Sequence, residues 1–373
     1  MEATYNDLNT PARLLLGPGP SLVPPRVLRS MATPTIGHLD PAYLAVMDET
    51  MALGRYVFQT ENPFTLILPG TGSAGMEAAL FNFIEEGDPV LVCVAGYFGE
   101  RICDMVTRAR GDLRRVDAAW GQVITPGQVE AALKERPAKL VAIVHGETST
   151  GIAQPLHEIA KIVHRYGGLL LVDTVASLGG VSVPVDELGI DICYTGSQKC
   201  LGAPPGLAPI TIGPRAEEAL ANRKSKVQSW YLDLTLLRKY WGPERVYHHT
   251  GPANMMFAMR EALRLIQEEG LEARFARHAG CAQRLYEGLE EMDMSMLVAP
   301  QHRLASLTTV CAPGGMDEMA VRKRLLNEYN IEIAGGLGVF KGTCWRVGLM
   351  GYSAQPENVV TLLGALQRVL SRK

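Results

Sequence analysis

Leu169-Leu170-Leu171-Val172-Asp173-Thr174-Val175-Ala176-Ser177 opens with four unbroken apolar residues and ends on a carboxylate. There is no alternation of apolar and polar positions, so the run reads as a strand buried on both faces, the pattern of a parallel sheet. The same grammar recurs at 64–68 (Phe-Thr-Leu-Ile-Leu), 90–94, 139–144, 190–194 and 207–212. Between the runs lie helical stretches, Ala74 to Glu86, Arg101–Arg110 and Ile159–Tyr166. Buried strands alternating with helices predict an α/β fold with a mostly parallel sheet. Sites in such sheets lie beyond the carboxyl ends of the strands. The segments that leave those ends are polar: His145-Gly146-Glu147-Thr148-Ser149-Thr150-Gly151, then Asp173 to Ser177, then Thr195-Gly196-Ser197-Gln198-Lys199.

Towards the C-terminus the pattern changes. Helices are expected over 255–292, Met319–Tyr329 and Gln355 to Leu370, with short strands at Ile331–Ile333 and Cys344–Val347. The 373 residues suit about two domains. We expect an arm over 1–15, a large domain over 16–270 and a small α/β domain over 271–373.

Composition narrows the function classes. The chain has 36 Lys+Arg and 39 Asp+Glu, a net charge of −3, with 47% hydrophobic residues. That excludes a disordered chain and argues against nucleic acid, which is met by basic surfaces. No apolar run reaches the 18 or so residues of a membrane span. The polar N-terminus does not read as a signal or transit peptide. The seven cysteines are odd in number and never spaced C-x-x-C, which points to packing in a reducing compartment. The ending Leu370-Ser371-Arg372-Lys373 is not a peroxisomal address, so a cytoplasmic location is expected.

Three features carry chemistry. Lys199 comes after a buried strand and precedes the small-residue run Gly202-Ala203-Pro204-Pro205-Gly206, an unusual setting for a lysine and one suited to a Schiff base. Asp173, 26 residues earlier at another strand end, is the acidic group that holds a pyridine nitrogen protonated in pyridoxal-phosphate (PLP) enzymes. Gly70-Thr71-Gly72-Ser73 opens a helix and offers N–H groups and hydroxyls to a phosphate, although Ser73 could equally be a helix cap. No glycine loop is followed by G-K-[ST], so a P-loop is excluded; Gly70-x-Gly72-x-x-Gly75 keeps a nucleotide-binding doubly wound protein as an alternative. His248-His249 lacks a third ligand at metal spacing, so no metal site is expected.

Together, residues 196–206, 145–151 and 172–180 resemble the class V, fold-type I PLP-dependent aminotransferases, above all the alanine–glyoxylate and serine–glyoxylate (serine–pyruvate) enzymes. Leu-Gly-Pro-Gly-Pro-Ser (16–21), Tyr-Val-Phe-Gln-Thr (56–60), Tyr-His-His-Thr (247–250), Ile-Glu-Ile-Ala-Gly-Gly-Leu-Gly (331–338) and Trp-Arg-Val-Gly-Leu-Met-Gly (345–351) come in family order. The resemblance implies a seven-stranded, mostly parallel sheet flanked by helices, with a smaller C-terminal domain. It implies PLP held as a Schiff base on Lys199, which also shuttles a proton, with Asp173 at the ring nitrogen. Val175 and Phe98 would face the ring, Thr148 its hydroxyl, and Thr71, Gly72, Ser73 and Gln198 the phosphate. Tyr247 and Thr250 would reach a neighbouring subunit's phosphate, making the active site a homodimer property. Arg346, Gly19, Thr148 and Gly336 would meet the substrate, with Arg346 gripping its carboxylate.

The implied reaction is a ping-pong transfer from alanine or serine to glyoxylate. (S)-Ureidoglycine–glyoxylate and pyridoxamine–pyruvate transamination are alternatives, as is a non-catalytic protein of the same fold. Cysteine desulfuration fits less well, because those relatives carry His where Gln198 precedes the lysine. Departures from some relatives, at Ser73 in place of His, Phe98 in place of Trp and Leu22 in place of Asn, bear on the phosphate, the ring and substrate selection in turn.

Overall fold

The structure, a computed structural model, describes residues 6–371. Phe64–Pro69 (β1), Pro89–Val94 (β2), Asp112–Asp117 (β3), Leu140–Val144 (β4), Leu169–Asp173 (β5), Ile192–Tyr194 (β6) and Leu207–Ile212 (β7) form one sheet. The spatial order is β1-β7-β6-β5-β4-β2-β3. Only β7 runs against its neighbours. Helices cover the sheet, and the strands between the edges are buried throughout, which is why their sequences are continuously apolar. Register sets the site: Asp173 lies opposite Val144 on one side and Tyr194 on the other.

Six of the seven strands stand out as apolar runs; β3 does not. It reads Asp-Leu-Arg-Arg-Val-Asp and pairs only with β2. As an edge strand it carries charges that discourage further pairing, and Arg115 is bridged to Glu100 and Asp117. A helix not expected from the sequence, Pro41–Phe58, starts at Asp40, whose side chain accepts from the Ala42 amide at 2.8 Å, and packs on Ala253–Glu269. The helix expected over 74–86 instead runs Gly72–Phe81, because Asn82 turns the chain by donating to the carbonyls of Ala78 and Leu232. The helix expected over 255–292 is two helices, Ala253–Glu269 and Leu271–Glu290, split at Gly270, whose φ of 79° a helix cannot continue.

A second core forms around Leu307–Cys311 (β8), Ala334–Gly335 (β9) and Cys344–Gly348 (β10), an antiparallel sheet ordered β8-β10-β9. The helices Leu271–Glu290, Glu318–Tyr329 and Pro356–Ser371 pack there, around the fully buried Trp345. Leu16 belongs to this core, and Leu14–Leu15 pairs in parallel with Ile331–Glu332. The chain thus enters through the small unit, although residues 14–16 lie at the other end of the sequence. Of the expected arm, residues 1–5 lie outside the described residues.

Candidate active site

The strand ends converge on a cavity of about 170 Å³. Its wall includes Asp173 and Val175 beyond β5, Gln198 and Lys199 beyond β6, and Thr148 beyond β4. Thr71, Gly72 and Ser73 beyond β1 and Phe98 beyond β2 complete the set of nine expected residues that share this wall.

Lys199 reaches this space from a short turn, and its Nζ donates to the Pro18 carbonyl. Burial pulls its ammonium down to about 8. Gly19 lies so close that a Cβ built there would sit 2.5 Å from Lys199 Nζ, and its φ of 115° suits only glycine.

Asp173 is fully enclosed. Its Oδ1 accepts from the Val175 amide at 2.8 Å and its Oδ2 from the Tyr194 hydroxyl at 2.7 Å. Burial raises the carboxyl above its ordinary value, while the two donors pull against that rise. Tyr194 is a site residue the sequence reading did not single out; its place at the end of a strand facing Asp173 was the available signal.

The helix Gly72–Phe81 begins in the same wall. Its N-cap is Thr71, not Ser73, and the Thr71 hydroxyl makes no capping bond. The Ala74 amide donates to the Thr71 carbonyl at 2.8 Å; the Gly72 and Ser73 amides, at the first two helical positions, have no acceptor within the helix, so this end offers donors. A Cβ on Gly72 would lie 3.1 Å from a Val175 methyl, a contact that Val175 would have to yield to. The Gln198 amide oxygen is buried without a hydrogen-bond partner among the described residues. Amide oxygen and nitrogen exchange places by a flip, and the flipped group would present a donor here. Donors at a helix start, a neutralisable amine and a buried carboxylate in one cavity suit an anionic aldehyde with a basic ring nitrogen.

Arg346 projects from β10, donating from Nε to the Gly335 carbonyl at 2.8 Å and from Nη1 to the Thr148 carbonyl at 3.1 Å. It joins the small core to the loop after β4. Burial pulls its guanidinium down to about 10, which leaves it charged at neutral pH. Beside Thr148, Glu147 is buried and accepts from the Phe98 amide at 3.1 Å and from the Ser149 amide and hydroxyl. It fixes the backbone that carries Phe98. His145 contacts the Ser177 hydroxyl at 2.8 Å, and burial lowers it to about 4, so it is neutral. The sequence reading gave neither residue a role.

Five expected residues do not line this cavity. Gly19 lies against Lys199 and Arg346 is tied to the Gly335 and Thr148 carbonyls; the other three sit elsewhere. Gly336 is buried against the Phe340 carbonyl, and it is the neighbouring Gly335 that meets Arg346. Tyr247 and Thr250 are exposed and do not line the cavity; Tyr247 packs on His38 with ring centroids 5.3 Å apart. His248 and His249 face each other at 2.9 Å, with Trp230 stacked on His248. Among the described residues no group of three or more His, Cys, Asp or Glu is placed to hold a metal ion, and no helix is long and apolar enough to cross a membrane.

The fold defines a transferase of fold type I. Residues 14–359 match the family model Aminotransferase class-V, and the chain belongs to the class V aminotransferases. It is similar to the alanine–glyoxylate aminotransferase of Mus musculus, 42% identical over 99% of this chain and 90% of that one. It is 40% identical to the (S)-ureidoglycine–glyoxylate transaminase of Bacillus subtilis, over 98% and 92% of the two chains. A solved alanine–glyoxylate aminotransferase from Nostoc superposes with a TM-score of 0.97 at 51% identity, covering 99% and 98%. The protein is a transaminase.

Proposed function

We propose that this enzyme uses PLP to move an amino group from alanine, or serine, to glyoxylate in a ping-pong cycle. The observation that carries the reading is the shared cavity, whose wall holds Lys199, Asp173 and the donor cluster of Thr71, Gly72, Ser73 and Gln198 together. Those four residues would hold the phosphate, Asp173 the ring nitrogen, Phe98 and Val175 the ring faces, and Thr148 the ring hydroxyl. When bound, PLP supplies an aldehyde that takes up the amino group and a ring that draws electrons from the substrate carbon.

The chain's own groups do the rest. Lys199 in its neutral form would carry a proton from the substrate carbon to the cofactor's aldehyde carbon. Asp173 stays negative because the pyridinium it faces repays its burial. Arg346 grips the carboxylate that both substrates share. Gly19 and the Pro18 carbonyl crowd Lys199 Nζ, which favours a donor with a short side chain. In this reading 16–270 form the cofactor domain, with Leu16 itself packed in the small core, and 271–373 the domain that brings Arg346. Tyr247 and Thr250 serve the other subunit of a homodimer. The seven cysteines are unpaired and six of them are buried, which suits a cytoplasmic enzyme.

A donor–acceptor panel tests the substrates. Alanine or serine with glyoxylate should give the highest kcat/KM. Comparable rates with (S)-ureidoglycine, or with pyridoxamine and pyruvate, would move the assignment to those reactions while leaving the family unchanged.

A further inference from the structure

The expected phosphate residues, Thr71, Gly72, Ser73 and Gln198, bring hydroxyls, amides and a helix end, but no full positive charge. Only two cationic side chains line the cavity, Lys199 and Arg101. Lys199 lies against Pro18 and Gly19, and Arg346 is tied to the carbonyls of Gly335 and Thr148. Arg101 stands on the helix Tyr97–Arg108, one turn beyond Phe98. Its Nη1 donates to the Ser73 hydroxyl at 3.3 Å, and its guanidinium lies over the Phe98 ring at 4.7 Å. Arg108 is bridged to Asp104 and Arg115 to Glu100. Arg101 has no carboxylate partner among the described residues. An unpaired guanidinium held at the hydroxyl of a helix N-terminus is a ready partner for a dianion.

We infer that Arg101 is a phosphate-binding residue, supplying the cation that this end of the cavity otherwise lacks. The inference rests on the PLP reading above. Stacking on Phe98 holds the guanidinium in place, so one helix turn provides both a ring contact and the charge. Of its five N–H groups, one is spent on Ser73 and others are free to meet phosphate oxygens.

The test titrates apoprotein with PLP and, separately, with pyridoxal, which lacks the phosphate, monitoring absorbance for affinity. Arg101→Met should weaken PLP by about tenfold or more and leave pyridoxal within about twofold, as loss of a charge-assisted contact requires. Inorganic phosphate, which should compete with PLP on the wild-type protein, should compete less well on the variant. Arg101→Lys should recover part of the PLP affinity. Equal weakening of PLP and pyridoxal would show that Arg101 acts only through Phe98 or the fold, and unchanged PLP affinity would show that it does not meet the phosphate; either overturns the inference. The wild-type arm reads the cofactor assignment independently, since a protein that binds neither compound refutes PLP itself.

Discussion

Lys199 has an amine brought to about 8 by burial, against 10.5 for a lysine in water. At pH 7.5 that makes about a quarter of it neutral, rather than about a thousandth. The neutral amine is the form that attacks an aldehyde, so the rate at which apoprotein takes up PLP should climb with pH and level off above about 8. A rate that keeps rising towards 10.5 contradicts the burial account. The same shift makes the apoprotein more stable as pH rises from about 8 to 10.5, because the unfolded chain still binds the proton that the folded chain has lost. Tyr194→Phe removes one of the two donors to a buried carboxylate, and should lower unfolding stability of the apoprotein by about 1–3 kcal/mol in denaturant titration. Arg346→Ala should raise KM for amino donor and oxo-acid alike by about 10- to 100-fold, and an unchanged KM removes Arg346 from the substrate. Asp173 was legible because it ends an apolar run, and Lys199 because it follows a buried strand within a segment of small residues, both places where charge is rare. Tyr194, Glu147 and His145 were not, since a tyrosine closing a strand or a glutamate in a loop has many ordinary uses.

At the scale of elements, apolar continuity exposed the buried strands and left the edge unseen. β3 has the charged face an edge needs, and charge is what conceals a strand in sequence. The helix Pro41–Phe58 shows a different miss: Tyr43, Met47, Thr50, Leu53 and Val57 recur at three- and four-residue spacing, but a Thr and the neighbouring Gly54 dilute the stripe. The helix Pro126–Glu135 carries a test of local coding. Thr125 and Gln128 form a reciprocal capping box at its start, and Thr125→Ala should cost about 1 kcal/mol in denaturant unfolding with kcat and KM unchanged. A loss of activity there would mean that the helix shapes the site from a distance.

For the whole molecule, the decisive contacts join distant parts of the chain. Arg346 to Thr148, Lys199 to Pro18 and Leu16 to the C-terminal core cannot be read from spacing; the family resemblance placed Arg346 and Thr148 together at the substrate but gave neither of the other two contacts. Trp230, Tyr231, Val246 and Tyr247 leave an apolar, aromatic surface exposed on a single chain, and such a surface commonly marks an interface. Sedimentation should show two chains per particle, and Tyr247→Ala should weaken PLP without disturbing Lys199. A fully active monomer would contradict a shared site.

The central claim is that Lys199 holds an aldehyde cofactor which carries the amino group between substrates. Its most direct measurement is the visible absorbance of PLP-reconstituted protein. The imine band should shift on adding alanine and return on adding glyoxylate, with glycine formed in step, and Lys199→Ala should lack the band of the free enzyme. Reconstituted wild-type protein without an imine band, or with a band indifferent to both substrates, would contradict the account.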